Sequence, residues 1–267
     1  MNNILLKLSI SYIFNFKKDK AFSVSTILSS VALILGISLL ITVMSVMNGF
    51  REELVKSLSG INGDFIIYES TDKEMSKLQQ SYPDAKIVKN YQQRVITTND
   101  RGIEGLLMKS MTIEDFYKIP RLNENLFEIE NIKESWVFIG TELARSLDVK
   151  VGDSLQISIP GSSMTILGPV LNSHILQIKG IFNTGVYDYD KYFIYSNENY
   201  FKDISDYPVF EVYEGNTKID LKDLSPMIYD SWSDQNQSLA QALATEKNVM
   251  FIILFFIILI SSFTIIS

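Results

Sequence analysis

The segment AFSVSTILSSVALILGISLLITVMSVMNGF, residues 21–50, runs for 30 residues without a single Asp, Glu, Lys or Arg. A second uncharged run covers the 20 residues 248–267. A helix needs about 20 mostly apolar residues to cross the hydrocarbon core of a bilayer. Both runs reach that length, so the sequence predicts a membrane protein with two transmembrane helices.

The first uncharged run could instead belong to a cleaved signal peptide. The apolar core of a signal peptide is only about 7–15 residues long, and the run here has 30, so we favour a retained helix. Residues 1–20 carry four Lys and one Asp, which places them in the cytoplasm by the positive-inside tendency. They also predict an amphipathic segment on the inner membrane surface, because apolar residues recur at helical spacing: Ile4, Leu5, Leu8, Tyr12 and Phe16.

Residues 51–247 hold 20 basic and 30 acidic residues and are predicted to lie outside the cytoplasm. Short β-branched runs alternate with helical patterns, which indicates an α+β domain of more than one layer. Strands are predicted at 64–68, 87–97, 104–108, 136–139, 154–159, 175–182, 192–195 and 209–213, and helices at 73–81, 112–117, 140–147, 197–201 and 218–224.

Residues 154–178 form a third uncharged stretch, of 25 residues. Pro160, Gly161, Gly168 and Pro169 interrupt it, and helix breakers at that density exclude a span facing lipid. We therefore predict two strands joined by a hairpin connection at 160–173.

The predicted organisation has a cytoplasmic segment at 1–20 and a first span at 21–50, continued by a stalk to about residue 58. The α+β domain then covers 59–233, a stalk helix 234–248 and the second span 249–267. No Lys or Arg follows that span, so we expect the sequence to be truncated.

Small residues follow one another along the first span, which predicts close packing against partner helices: Ser25, Ser29, Ala32 and Gly36.

Composition argues against most catalytic chemistry. The chain has no Cys and one His, His174, so no thiolate nucleophile or His-based metal site is predicted. No phosphate-binding G-x-x-x-x-G-K-[ST] loop occurs, and the net charge of −7 disfavours nucleic-acid binding. We interpret His174 as structural and the acidic pair Asp188 and Asp190 as part of a turn.

The string S-V-M-N-G-F at residues 45–50, with Glu53 and Leu54 after it, closely resembles the LolC/LolE permeases of the lipoprotein-releasing ABC transporter of Gram-negative bacteria. These belong to the wider MacB-like permease superfamily. The resemblance continues through G-T-E-L-A at 140–144, V-G-D-S-L at 151–155, G-I-F at 180–182, Trp232 and E-K-N at 246–248.

The resemblance implies an inner-membrane permease subunit with four spans and a MacB-like periplasmic domain between the first two. It implies a separate LolD-like ATPase that binds ATP and Mg, with no cofactor in this chain, which would itself be no enzyme. It also implies a second permease subunit (LolE-like or a second copy) and a LolA-like periplasmic carrier. The substrates would be lipoproteins, and membrane lipid would surround the spans. ATP-driven motion of the spans would be transmitted mechanically through the stalks.

Two sites follow from the resemblance. The hairpin resembles the hook that docks the carrier in the LolC branch, and its residues would be Met164, Thr165, Ile166, Leu167, Gly168, Pro169 and Val170. The alternative is a hairpin folded back on its own domain. A lipid and lipoprotein cavity would be lined by Val43, Met44, Met47, Phe50, Val249 and Met250, and ordinary helix packing is the alternative there.

Two other functions remain open at this point. A MacB-like efflux permease or an FtsX-like regulatory permease would share the fold, although the S-V-M-N-G-F string and the uncharged hairpin disfavour both. A sensor-receptor with two spans and an extracytoplasmic domain would also fit the pattern. Its chain would continue into a signalling module, whereas a permease would continue into two further spans.

Overall fold

A computed structural model describes Ile4 and residues 20–99, 102–127, 136–165, 168–198 and 207–266. The predicted amphipathic segment at 1–20 lies outside this part except for Ile4 and Lys20. The described part up to Leu54, with the residues from Asn236 onward, forms one compact unit, and Val55–Gln235 forms the other.

The helices are α1 (Lys20–Asn62), α2 (Asp72–Ser81), α3 (Ile113–Lys118), α4 (Pro120–Glu124), α5 (Thr141–Leu147), α6 (Tyr187–Tyr192), α7 (Leu221–Leu224), α8 (Trp232–Gln235) and α9 (Gln237–Ile266). The strands are β1 (Phe65–Tyr68), β2 (Lys86–Asn99), β3 (Gly102–Met111), β4 (Leu126–Phe127), β5 (Val137–Gly140), β6 (Ser154–Thr165), β7 (Gly168–Phe182), β8 (Phe193–Asn197), β9 (Val209–Tyr213) and β10 (Ile228–Ser231). The predicted α+β class is confirmed.

Helices α1 and α9 are each long and apolar enough to cross a membrane. Candidate spans cover Leu33–Asn62 and Gln237–Ile260, and only 6% of the most apolar stretch of each is buried. Helix α1 continues without a break for 43 residues, four residues beyond the predicted end of the stalk. Helix α9 begins only at Gln237, after a turn at Asn236.

The turn at Asn236 replaces the unbroken stalk helix predicted from residue 234. The backbone carbonyl of Asn236 accepts from the amide of Ala240 at 2.9 Å, so the turn residue supplies an acceptor to the first turn of α9. Asp234 instead accepts from the amide and the hydroxyl of Ser231, at the start of the separate short helix α8.

Six strands of the domain close into a ring in the order β2, β3, β8, β5, β7 and β6, with β6 pairing back to β2. We call this set the β-ring. Apolar residues from all six strands form a buried cluster, and Leu143, Ala144 and Leu147 of α5 add to it. The closed pairing removes the exposed edges that an open sheet would present.

A smaller antiparallel sheet, here the flanking sheet, has the order β10, β1, β9 and β2. Strand β2 belongs to both layers, because residues 86–90 pair with β9 and residues 91–99 pair with β3. Met75 and Leu78 of α2 contribute to the apolar core on this sheet. A capping box between Thr71 and Glu74 fixes the start of α2.

A third buried cluster lies beneath α3 and α4 and is mostly aromatic. Phe116 of α3 packs at 4.8 Å, centroid to centroid, from Phe138 of β5, and Trp136 stacks on Phe138 at 4.6 Å.

Helices α4 and α6 and strands β4 and β10 were not predicted, since each has only two to six residues. The helix predicted at 197–201 lies mostly outside the described residues.

The uncharged stretch forms the β6–β7 hairpin. Its ladder pairs Ser154 with Gln177 and continues, across a register shift between Ile159 and Ser163, as far as Thr165 opposite Gly168. The strands therefore extend through most of the predicted connection at 160–173. Ile166 and Leu167, and the side chains of residues 160–172, lie outside the described part.

The structure explains why two residues of the recognisable motifs are glycines. Gly152, in V-G-D-S-L, adopts a left-handed φ of 96°, which side chains disfavour. Gly140, in G-T-E-L-A, lies so close to the backbone of Asp190 that an added Cβ would overlap it. These motifs thus fix how α5 and β6 join the β-ring.

Gly140→Ala should destabilise the domain, because its new methyl group would meet backbone rather than a side chain that can move. Overpacking of this kind costs roughly 1–3 kcal/mol. Thermal unfolding of the purified chain in detergent measures the effect. Gly105→Ala in β3 is the control, since open space surrounds that position, and an equal drop in melting temperature for both variants would contradict the assignment.

Candidate functional site

Helices α1 and α9 approach each other along a seam that includes Gly36 and a crevice lined by residues of both helices. Leu243 of α9, in that crevice, is buried, and so is Leu40 of α1. A Cβ added at Gly36 would lie 3.5 Å from Cγ2 of Ile257, so this member of the predicted small-residue stripe faces α9 of the same chain. The side chains of the other members, Ser25, Ser29 and Ala32, lie outside the described part.

A crevice of about 30 Å³ lies on this seam. Its apolar lining comes from Met44, Met47, Leu243 and Met250, and its polar lining from Asn48, Arg51, Glu246 and Lys247. Methionine side chains are flexible and adapt to irregular apolar shapes. The crevice therefore combines an adaptable apolar surface with a charged border.

The six residues predicted to line a lipid cavity separate into two groups. Met44, Met47 and Met250 meet in the crevice, whereas Val43, Phe50 and Val249 are 42%, 56% and 47% exposed and do not line it. A volume of about 30 Å³ has room for roughly two water molecules. The crevice of one chain is accordingly too small for an acyl chain.

The domain contains a buried ion pair that the sequence analysis missed. Lys109 Nζ of β3 lies 2.6 Å from Glu211 Oε1 of β9, and the two side chains are 1% and 0% exposed. The pair thus joins the β-ring to the flanking sheet. Charges this deeply buried are tolerated only when further hydrogen bonds satisfy them.

Those further bonds come from the last turn of α1. Lys109 Nζ also donates to Oδ1 of Asn62 at 2.7 Å. The Tyr213 hydroxyl lies 2.9 Å from the backbone carbonyl of Ile61 and 3.0 Å from Glu211 Oε2, so two acceptors share its single proton. We call Asn62, Lys109, Glu211 and Tyr213 the junction network.

Two aromatic residues complete the surroundings of the junction network. The Tyr189 hydroxyl of α6 accepts from Nδ2 of Asn62 at 2.8 Å, and Lys109 Nζ lies 5.3 Å from the centre of the Phe193 ring, within cation–π range. Burial, and then the charge of Glu211, raise the pKa of Tyr189 to about 12. The same two causes raise the pKa of Tyr213 well above its usual value, so both hydroxyls stay protonated at neutral pH.

A sequence signal for the ion pair was available. Lys109 stands in the apolar run L-L-M-K-S-M, directly after the strand predicted at 104–108. Glu211 stands in V-F-E-V-Y, inside the strand predicted at 209–213. Each is the single charge of its run. Such a charge either faces solvent or needs a partner. Sequence spacing alone could not identify the partner, because the two residues are 102 positions apart.

The structure places the remaining candidate residues in three secondary-structure positions. Asp188 and Asp190 lie on helix α6 rather than in a turn, and Asp190 accepts from the amide and the hydroxyl of Thr184, each at 2.8 Å. Burial raises the pKa of Asp190, and these hydrogen bonds oppose that shift. His174 lies in β7 opposite Ile157. Within the described ranges, no three His, Cys, Asp or Glu side chains are grouped to hold a metal ion.

Comparison with known proteins identifies the domain. The family model for the MacB-like periplasmic core domain matches residues 26–211. The lipoprotein-releasing system transmembrane protein LolC of Neisseria meningitidis serogroup B is 24% identical over 97% of this chain and 68% of its own length. The LolC protein of Buchnera aphidicola subsp. Schizaphis graminum is 27% identical over 96% of this chain and 67% of its own.

Among solved structures, the extracellular domain of the noncanonic ABC-type transporter YknZ from Gram-positive bacteria matches with a TM-score of 0.37 and 11% identity. That match covers 61% of this chain and 86% of the YknZ chain.

Lys109→Met should lower the free energy of unfolding of the domain, because it leaves Glu211 charged and buried without its cation. Breaking a buried pair in this way costs about 3–5 kcal/mol, whereas replacing both partners by apolar residues of similar volume is often nearly neutral. We therefore expect Lys109→Met/Glu211→Leu to recover most of the loss.

Urea unfolding of the full chain in detergent, followed by the fluorescence of the buried Trp136, tests this expectation. A single variant as stable as the parent would show that the pair is not desolvated in solution. A double variant as unstable as the single one would show that the hydrogen bonds, and not the charges, carry the cost.

Proposed function

Because this chain belongs to the MacB-like periplasmic core domain family, we propose that it is a permease subunit of an ABC transporter that releases lipoproteins from the inner membrane. The observation that carries the proposal is this domain, which lies between two candidate spans in a chain that aligns over 97% and 96% of its length with two proteins named LolC. The lipoproteins would pass to a periplasmic carrier for delivery to the outer membrane.

The proposed location is the inner membrane of a Gram-negative bacterium, with the N-terminus in the cytoplasm and the α+β domain in the periplasm. The four Lys residues of positions 1–20 support that orientation through the positive-inside tendency. The domain is net acidic and the chain has no Cys, and neither property conflicts with a periplasmic location.

The proposed partners supply what this chain lacks. The sequence contains no phosphate-binding loop, so a LolD-like ATPase subunit would bind ATP and Mg and hydrolyse the nucleotide. A second permease, LolE-like or a second copy, would face the exposed Val43, Phe50 and Val249. This chain would then act mechanically and would make or break no covalent bond.

The crevice suggests how lipid is handled. One chain leaves about 30 Å³ between Met44, Met47 and Met250, whereas two facing chains can enclose a larger apolar cavity. Flexible methionines suit lipoproteins with varied acyl chains. Movement of α1 and α9 on ATP binding would narrow this cavity and expel the acyl chains.

A photo-reactive residue at Leu167, between β6 and β7 in the sequence, should form an adduct with the periplasmic carrier in membranes of cells expressing the transporter. The segment 164–170 is apolar and contains no charge, and an apolar segment of this kind marks a protein-docking surface where it reaches solvent. Immunoblotting for the carrier detects the adduct. Replacing Gly168 and Pro169 together should abolish it.

The same photo-reactive residue at Ile103 is the matched control, because Ile103 is 72% exposed and pairs with Thr98 close to the tip of a different hairpin, β2–β3. Equal carrier adducts from both positions would indicate collision rather than docking. No adduct from Leu167, with a folded permease and a functional carrier, would favour the hairpin folded back on its domain.

A photo-reactive residue at Met47 should capture lipoprotein substrate through its acyl chains, because Met47 lines the crevice. Val46 is the control: it is 65% exposed and lies one helical step away from the crevice face, where it should capture bulk lipid instead. Mass spectrometry of the adducts separates the two. Lipoprotein at Val46 and none at Met47 would contradict the proposed cavity.

A further inference from the structure

The last turns of α1 are embedded in the α+β domain. Ser57, Leu58 and Ile61 are 8%, 7% and 0% exposed, whereas Val46 and Phe50 earlier in the same helix are 65% and 56% exposed. The helix is continuous between these regions. An α-helix without a break transmits an axial displacement along its length, since its backbone hydrogen bonds resist stretching.

The embedded end is held by directional bonds as well as by apolar contact. Its final residue, Asn62, accepts from Lys109 of the β-ring and donates to Tyr189 of α6. The carbonyl of Ile61 accepts from Tyr213 of the flanking sheet. One helical turn is therefore attached to both β layers at once, through residues that also contact each other.

The attachment includes an ion pair whose two side chains are almost completely buried, which is unusual inside a domain. An apolar contact of similar volume would often be as stable as a buried ion pair, but it would not fix a single register. The ion pairs Lys89–Asp72 and Arg145–Glu142, by contrast, lie at the surface, where such pairs contribute little. The buried pair is best explained by the geometry that it imposes on the end of α1.

The second connection between the two units has a different construction. Helix α9 begins after the turn at Asn236, and α8 has only four residues. A turn absorbs changes in backbone angles that an unbroken helix cannot. Of the two connections, α1 is therefore the one suited to carry displacement into the domain.

We propose that the junction network is the joint that passes displacement of α1 to the β-ring and the flanking sheet together. The inference rests on the proposed function, in which the ATPase cycle is what displaces α1. Asn62, Lys109, Glu211 and Tyr213 act as positioning residues: they touch no substrate and transmit motion by keeping the end of α1 in one register.

The first test measures the register itself and requires no substrate. The chain has no native cysteine, so spin labels can be placed at Lys56→Cys on α1 and Lys86→Cys on β2, both exposed. In the assembled transporter in lipid nanodiscs, we expect a narrow distance distribution for the parent. We expect a clearly broader one for Lys109→Met/Glu211→Leu, the variant expected to remain folded.

The second test measures coupling in proteoliposomes that contain the same transporter, its lipoprotein substrate and the carrier. ATP hydrolysis of Lys109→Met/Glu211→Leu should stay close to that of the parent, while lipoprotein released per ATP should fall by at least about fivefold, the lower range of typical coupling energies. Equal thermal stability of both proteins excludes unfolding as the cause.

Lys191→Met/Glu104→Leu is the matched control. Lys191 Nζ lies 2.6 Å from Glu104 Oε1, with side chains 9% and 30% exposed, and this pair joins α6 to β3 without touching α1. We expect it to leave both the distance distribution and the coupling ratio unchanged. Equal effects from the two double variants would overturn the proposal, because general loss of a buried pair would then explain them.

The outcomes separate the joint from the transport function. A narrow distribution and an unchanged coupling ratio in Lys109→Met/Glu211→Leu would overturn the joint while leaving the proposed function intact. A parent transporter that hydrolyses ATP but releases no lipoprotein would overturn the proposed function. The broadening in the variant, measured without substrate, would still support the joint.

Discussion

The buried contact between Lys109 and Glu211 ties together three elements of the domain. Neither charge reaches solvent, so each must be satisfied within the protein. The ammonium group is satisfied by Glu211, Asn62 and the Phe193 ring. Since these partners come from β9, α1 and β8, the charge can be buried only when the three elements are correctly placed. Strand β2, shared by both layers, adds a covalent connection between the same two sheets.

The sequence predicts part of this architecture well, for clear physical reasons. The two candidate spans follow from the distribution of charge, and most strands follow from β-branched runs. Closure of the β-ring does not follow from either, because it depends on the short pairing of Ile96 and Thr97 with Ser158 and Ile157. The turn at Asn236 was also missed, since Asn is compatible both with a helix and with a turn. The register of Lys109 against Glu211 is a tertiary property that no local pattern contains.

The residues that make the family recognisable differ from those that would perform its function. Gly140 and Gly152 are explained by a close backbone contact and by a left-handed φ, so they specify how the chain folds. The predicted hook at 164–170 and the exposed Val43, Phe50 and Val249 are instead proposed to contact other molecules. The family is thus identified through its scaffold, and the surfaces that would contact carrier and lipid have to be established by crosslinking at individual positions.

The two parts of the chain place opposite demands on side-chain flexibility. The crevice between α1 and α9 is lined by three methionines, whose unbranched side chains can repack as the cavity changes shape. The junction network has the reverse property, because its hydrogen bonds weaken steeply when distance or angle changes. The proposed mechanical transporter would need both: a flexible surface where lipid enters and leaves, and a rigid attachment through which movement reaches the α+β domain. Helix α1 carries Met44 and Met47 in its membrane part and Asn62 at its end, so a single element combines the two requirements.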